Sequence, residues 1–322
     1  MYGRVLGKDL HVSAVGLGCM GFSHAYGVTT EKSEAVKTLR DSFDIGYTFF
    51  DTAECYGPYE NEELIGEAFR ACRDQVVIAT KFGVTHAPDR SLLLDSRPET
   101  IRKSVDGSLR RLKTDHIDLY YQHRIDPKVA PEEVASVMAE LIKEGKITHW
   151  GISEANEEYL RRAHAVCPVT AIQNRYSMMY RDYEKLFPVL EELHIGFVAF
   201  SPLANGLLSE QYDRYSKFES EDYRADMPQF QPRAFDENAE LFRLIALIAA
   251  QKKATPAQIA LAWMLCKKPY IVPIPGSRKI PRLYENAKAA DILISESEVC
   301  ELDRVLNVVG MSAVFGGHTS KD

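Results

Sequence analysis

YTFFDTA at 47–53, VVIATKFG at 76–83 and IDLYYQH at 117–123 are short aromatic and β-branched runs, each closing on polar groups. Runs of this kind read as strands buried on both faces, the pattern of a parallel sheet. Working outward, five more follow the same rule: SAVGLG (13–18), ITHWGIS (147–153), VTAIQN (169–174), GFVAFSPL (196–203) and YIVPIPG (270–276). Helical periods separate them. Ile101, Val105, Leu109 and Leu112 share one face, with Ser96 and Glu99 in capping-box spacing and Pro98 in the first turn. Val134, Val137, Leu141 and Ile142 form the next stripe, ending at Gly145, and Tyr183, Leu186, Leu190 and Leu193 form a later one.

Eight strand–helix units predict an α/β fold, a closed (β/α)8 TIM barrel. The competing open doubly wound sheet would require a glycine-rich dinucleotide turn. GLGCMG (16–21) matches that turn weakly, and no acidic residue closes a later strand in the corresponding way. One domain over residues 1–322 is expected. Residues 204–235 form a polar, aromatic-dotted loop after the seventh strand, long enough to serve as a lid. Residues 296–322 hold an extra helical stretch, Glu296 to Leu306, and a glycine-rich tail.

Composition narrows the function. The chain has 322 residues, 39 Lys+Arg against 46 Asp+Glu and a net charge of -7, which argues against nucleic acid or an anionic membrane as the main partner. No apolar run approaches the roughly 20 residues of a membrane span, and the N-terminus lacks a signal-peptide core. The six cysteines are scattered without metal-ligand spacing. These features predict a reduced, cytoplasmic protein with no metal, and leave monomer and homo-oligomer equally open.

In such a barrel the chemistry sits at the C-terminal ends of the strands. There the sequence places Asp51, with Tyr56 just beyond, then Lys81, Gln122-His123, Ser153-Glu154, Gln173-Asn174, Phe200-Ser201 and Gly276-Ser277-Arg278-Lys279. Asp51, Lys81 and His123 meeting beside a tyrosine form either an ion-pair network or a catalytic site. Tyr56 would act as a proton donor, an adjacent ammonium lowering its pKa. Asp51 would aim Lys81, and His123 would donate to a carbonyl oxygen. Such a set needs an external hydride source.

FFDTAECYG (49–57), IATKFG (78–83), the run from Arg97 to Pro127, WGISEAN (150–156), AIQNRYS (171–177), FSPLANG (200–206) and PIPGSRKIPRLYEN (273–286) together resemble the aldo-keto reductases over nearly the whole chain. The resemblance implies an N-terminal β-hairpin plug at residues 1–12 and NADPH lying across the barrel mouth. It implies Asp51, Tyr56, Lys81 and His123 as the catalytic tetrad. It places Ser153, Glu154 or Asn156, and Gln173 on the carboxamide, Phe200 against the nicotinamide, and Ser201, Leu203 and Gly206 along the pyrophosphate. Gly18, Cys19 and Met20 would border the cofactor, and Gly276, Ser277, Arg278, Lys279, Arg282, Glu285 and Asn286 would hold its far end. Three cations and a hydroxyl at one strand-to-helix turn suit a 2'-phosphate. Relatives often carry Gly-Arg-Gly after Ser-Pro-Leu, where this chain has Ala204-Asn205-Gly206 and so lacks one basic contact.

The implied partner is a small aldehyde or ketone, its pocket walled by Met20, Phe22, Tyr26, Arg124, Tyr212, Tyr223 and Phe230. Cys19 and Cys55 would line the mouth. Two rival readings use the same groups. One is a cofactor-binding regulatory protein, like the β subunits of voltage-gated potassium channels, and the other is a Schiff-base lyase with Lys81 as nucleophile.

Overall fold

The computed structural model describes residues 1–87 and 91–315. The expected GGHTSKD tail, residues 316–322, lies outside the described residues. Eight parallel strands run in sequence order around one sheet: Leu17–Gly18, Phe49–Asp51, Val77–Phe82, Ile117–Gln122, Ile147–Ser153, Ala171–Arg175, Gly196–Phe200 and Ile271–Pro273. Seven of them lie within the runs read from the sequence, and the sixth extends one residue beyond its run, to Arg175. The first and last strands meet where the Gly16 N–H donates to the Pro273 carbonyl at 3.0 Å. Helices cover the outside, so each strand is apolar on both faces.

The barrel interior is a small cluster of Phe49, Ala79, Leu119, Tyr121, Ala171, Val198, Val272 and Ile274. Leu6, Leu10 and Val12 of the hairpin Gly3–Leu6/Leu10–Ser13 join it from below, so the hairpin stoppers the N-terminal end. Gly7, at φ +62°, makes its tight turn. Close packing explains Gly196, where a Cβ would stand 2.6 Å from Leu6. With that end filled, only the C-terminal mouth is left for chemistry.

Three local expectations are corrected. Ser96 and Glu99 make no capping box. The helix Pro98–Leu112 has Arg97 as its cap residue, without a side-chain cap bond. Asp95 instead accepts from the Arg97 N–H at 3.1 Å and from Thr100 Oγ1 at 2.7 Å, while Ser96 is buried and accepts from Gln122. The 183–193 stripe is split into a 3-10 turn, Asp182–Leu186, and a short helix, Phe187–Leu193, because Pro188 cannot continue the earlier hydrogen-bond ladder. Phe22, expected on the pocket wall, is only 1 % exposed and packs in the outer core.

The 204–235 segment is folded across the mouth. It opens with left-handed Ser201, Ala204, Asn205 and Gly206, which turn the chain sharply off the seventh strand. Tyr26 pairs with Asp222 in an isolated bridge, the Tyr223 N–H donates to the Ala25 carbonyl at 3.0 Å, and Asn205 Nδ2 donates to Tyr26 Oη at 3.0 Å. Arg224 ion-pairs with Asp222 and lies over the rings of Tyr26, Tyr212 and Phe218. The extra helix Glu296–Leu306 is present and starts on a true capping box, Ser295 with Glu298. Among the described residues no helix is long and apolar enough to cross a membrane.

Candidate active site

The second strand delivers Asp51 and the third delivers Lys81, both buried. Lys81 Nζ lies 2.5 Å from Asp51 Oδ1 and donates to the Thr52 carbonyl at 2.7 Å. The second carboxylate oxygen accepts from Gln173 Nε2 at 2.7 Å. Burial pushes the Asp51 carboxyl up, and Lys81 and Gln173 pull it back. The pair is thus desolvated, with both carboxylate oxygens bonded and the ammonium held by two acceptors, the condition under which a buried charge is tolerated.

Tyr56 follows on the loop after strand two. Lys81 Nζ is 5.2 Å from its ring centroid, and His123 meets the ring edge-on at 5.9 Å between centroids. His24 stacks on it at 6.0 Å. The expected drop in the tyrosine pKa is reversed. Burial, and then the Asp51 carboxylate, push Tyr56 well above 10, so it is a neutral phenol. Burial, Arg124 and Lys81 hold His123 well below 6.5, so its ring is neutral too. His123 Nδ1 lies 3.6 Å from Cys55 Sγ, whose thiol burial pushes up to about 12. A protonated thiol facing Nδ1 favours the tautomer with hydrogen on Nε2, leaving that nitrogen to donate.

The other sequence-assigned groups fall into three sets. Ser153 and Glu154 meet Arg124, whose Nη1 donates to Ser153 Oγ at 3.1 Å and whose Nε faces Glu154 at 3.3 Å, while Gln173, opposite Ser153 on the neighbouring strand, donates to Asp51. Asn156 is not with them, because it caps the next helix through the Tyr159 N–H. At the far end Ser277 Oγ accepts from the Lys279 N–H at 3.1 Å, and the helix Ile280–Lys288 begins with no side-chain cap. Lys279 has no side-chain partner among the described residues. Arg278 donates to the Val28 and Tyr26 carbonyls at 2.6 and 3.1 Å, Arg282 pairs with Glu285, and Asn286 is buried. The third set, Gly18, Cys19 and Met20, leaves the first strand. Cys19 is wholly buried, with Sγ 3.4 Å from the Leu17 carbonyl and the thiol pushed up by burial.

A dinucleotide fits these features. Strands one and eight touch through glycines: a Cβ on Gly18 would stand 2.8 Å from the Ile274 carbonyl, and one on Gly276 would stand 2.9 Å from the Gly18 carbonyl. Backbone can therefore approach a ligand closely there. An uncapped helix start beside Lys279 suits a phosphate. Phe200 keeps a partly exposed ring, Leu203 and Gly206 flank the first turn of the mouth loop, and Gly206 sits at φ +101°.

Sequence reasoning missed several organisers. Asn61 bonds Thr52 Oγ1 at 2.6 Å, Ser23 Oγ at 2.7 Å and the Cys19 carbonyl at 3.0 Å, tying loop one to loop two. Its position on a helix gave no signal. Arg175 was visible only as a neighbour of Asn174, and Cys55, placed at the mouth from the sequence, gave no sign of its contact with His123.

The sequence model of the Aldo/keto reductase family matches residues 14–307. A probable aldo-keto reductase 1 from Glycine max is 37 % identical over 312 residues, covering 96 % of this chain and 89 % of that protein. Among solved structures, the glycerol dehydrogenase of Gluconobacter oxydans superposes with a TM-score of 0.87 at 26 % identity, over 99 % of this chain and 98 % of that one. An aldo/keto reductase from Klebsiella pneumoniae, in complex with NADP and acetate, gives 0.74 at 29 % identity over 95 % and 96 % of the two chains. The chain belongs to the aldo/keto reductase family, which makes it an oxidoreductase by class.

Proposed function

We propose that the protein is an NADP(H)-dependent reductase of aldehydes and ketones, with Asp51, Tyr56, Lys81 and His123 as its catalytic residues. The reading rests on the convergence of these four groups from three strand ends at one mouth. Gly18, Cys19, Met20, Ser153, Glu154, Gln173, Phe200, Ser201, Leu203, Gly206 and the 276–286 turn would hold the cofactor. When bound, NADPH supplies the hydride that reaches the carbonyl carbon.

The chain's own residues do the rest. Tyr56 and His123 Nε2–H orient the carbonyl by donating to its oxygen, and Tyr56 transfers its proton there. Its raised pKa keeps that proton in place until negative charge develops on the oxygen. Lys81, fixed by Asp51 and the Thr52 carbonyl, holds a positive charge against the phenol ring and stabilises the phenolate left behind. Lys81 is fully buried and doubly bonded, which disfavours the Schiff-base alternative. The acidic chain and its six free cysteines support the cytoplasmic placement.

The test is NADPH consumption across a panel of aldehydes, ketones and sugars, with NADH as control. Turnover with NADPH supports the reading. Tight NADPH binding without turnover of any carbonyl favours a regulatory protein.

A further inference from the structure

Strand six carries a charge that the proposed reaction does not use. Arg175 stands two residues beyond Gln173 on Ala171–Arg175, so both side chains lie on the barrel-axis face, with Arg175 one step nearer the mouth. It is 5 % exposed. The other cations around the mouth are answered: Lys81 by Asp51, Arg124 by Glu154, Arg224 by Asp222. The Arg175 side chain makes no hydrogen bond or ion pair with the described residues, and its buried Nε has no acceptor.

Its surroundings are aromatic instead. The guanidinium lies 5.2 Å from the Phe200 ring centroid and 5.9 Å from those of Tyr180 and Phe315. Ring faces hold the cation in place but leave its in-plane N–H donors unused. A buried guanidinium with idle donors is costly unless an anion completes it. The charges that reach it through space are Glu154 and Arg124, together with the Tyr180 and Tyr26 phenols. Arg124 is also the foremost charge acting on His123. Arg175 therefore belongs to the side of the mouth where the carbonyl is handled. The 278–282 cations belong to a separate turn after strand eight.

We propose that Arg175 is a specificity-determining residue that receives a carboxylate carried by the carbonyl substrate. Arg124 and Glu154 compensate one another beside it, so the net positive charge of this wall is that of Arg175. The inference rests on the reductase reading and names its substrate class: carbonyl compounds bearing an anionic group. The same donors could serve a cofactor phosphate, and the test separates the two sources.

The paired substrates are 4-carboxybenzaldehyde and its neutral methyl ester, compared in wild type, Arg175→Met and Arg175→Lys. The wild type is expected to prefer the acid. Arg175→Met should lose about tenfold or more in kcat/KM on the acid while staying within about twofold on the ester, with partial recovery in Arg175→Lys. In calorimetry, benzoate should bind the NADP+-loaded wild type and bind Arg175→Met about tenfold more weakly, with the NADP+ Kd unchanged. Equal losses on both aldehydes, or a weakened NADP+ Kd with benzoate binding intact, would overturn the proposal. If Arg175→Met does not fold, a wild-type acid-to-ester ratio of one or less overturns it, as does failure to bind benzoate. If neither aldehyde is turned over, the reductase reading fails, whereas the benzoate titration still reads Arg175.

Discussion

Gln173 and Asp51, 122 positions apart in the chain, are joined by a 2.7 Å bond from the Gln173 amide to Asp51 Oδ2. The amide thus completes the carboxylate whose other oxygen holds Lys81. Gln173→Leu should leave a buried acceptor unsatisfied and lower stability by about 1–3 kcal/mol. Urea denaturation measures it, and an unchanged midpoint would mean that the bond contributes nothing.

Removing the proposed donor has a sharper signature. Tyr56→Phe should reduce carbonyl turnover by about 10²–10⁴-fold with little change in NADPH affinity. Because burial holds the phenol well above its ordinary 10, wild-type reduction should show no loss of this donor up to pH 10. Steady-state rates across pH, with fluorescence titration of NADPH, check both halves.

His123 should not titrate within the working range. Its pKa is pushed well below 6.5, so the neutral ring persists as pH falls from 8 to 6. Cys55→Ala, which removes the thiol 3.6 Å from Nδ1, should loosen the tautomer preference. Nitrogen-15 shifts of His123 would show hydrogen on Nε2 in the wild type and a mixture in the variant. A single unchanged tautomer in both would leave Cys55 as packing alone.

Glu54 links stability to pH. Burial raises its carboxyl from the ordinary 4.5 to about 7, although Ser104 and the Gly83 N–H pull the other way. The folded state therefore holds a proton that the unfolded chain has already released. The contribution is present below 4.5 and is lost as pH rises through about 7. Glu54→Gln, which stays neutral, should gain in Tm relative to wild type between pH 5 and 8. Parallel Tm curves for the two proteins would refute the linkage.

The barrel, the four convergent groups and the extra helix were legible in the sequence, because each depends on local pattern. A strand buried on both faces needs an unbroken apolar run, and a barrel sends whatever polar residue ends that run to one rim. Asp51, Lys81 and His123 could thus be read off as strand ends. Tertiary structure alone decided what those groups meet. Tyr56 lies beside an ammonium, yet desolvation outweighs it and reverses the expected pKa shift. Ser96 leaves its cap because Gln122, 26 positions away, takes its hydroxyl. Arg175 is one basic residue among 39 in sequence, and only the closing of Phe200, Tyr180 and Phe315 around it makes it a buried charge without an acceptor. Burial and long-range partners are properties of the assembled chain, and no local spacing encodes them.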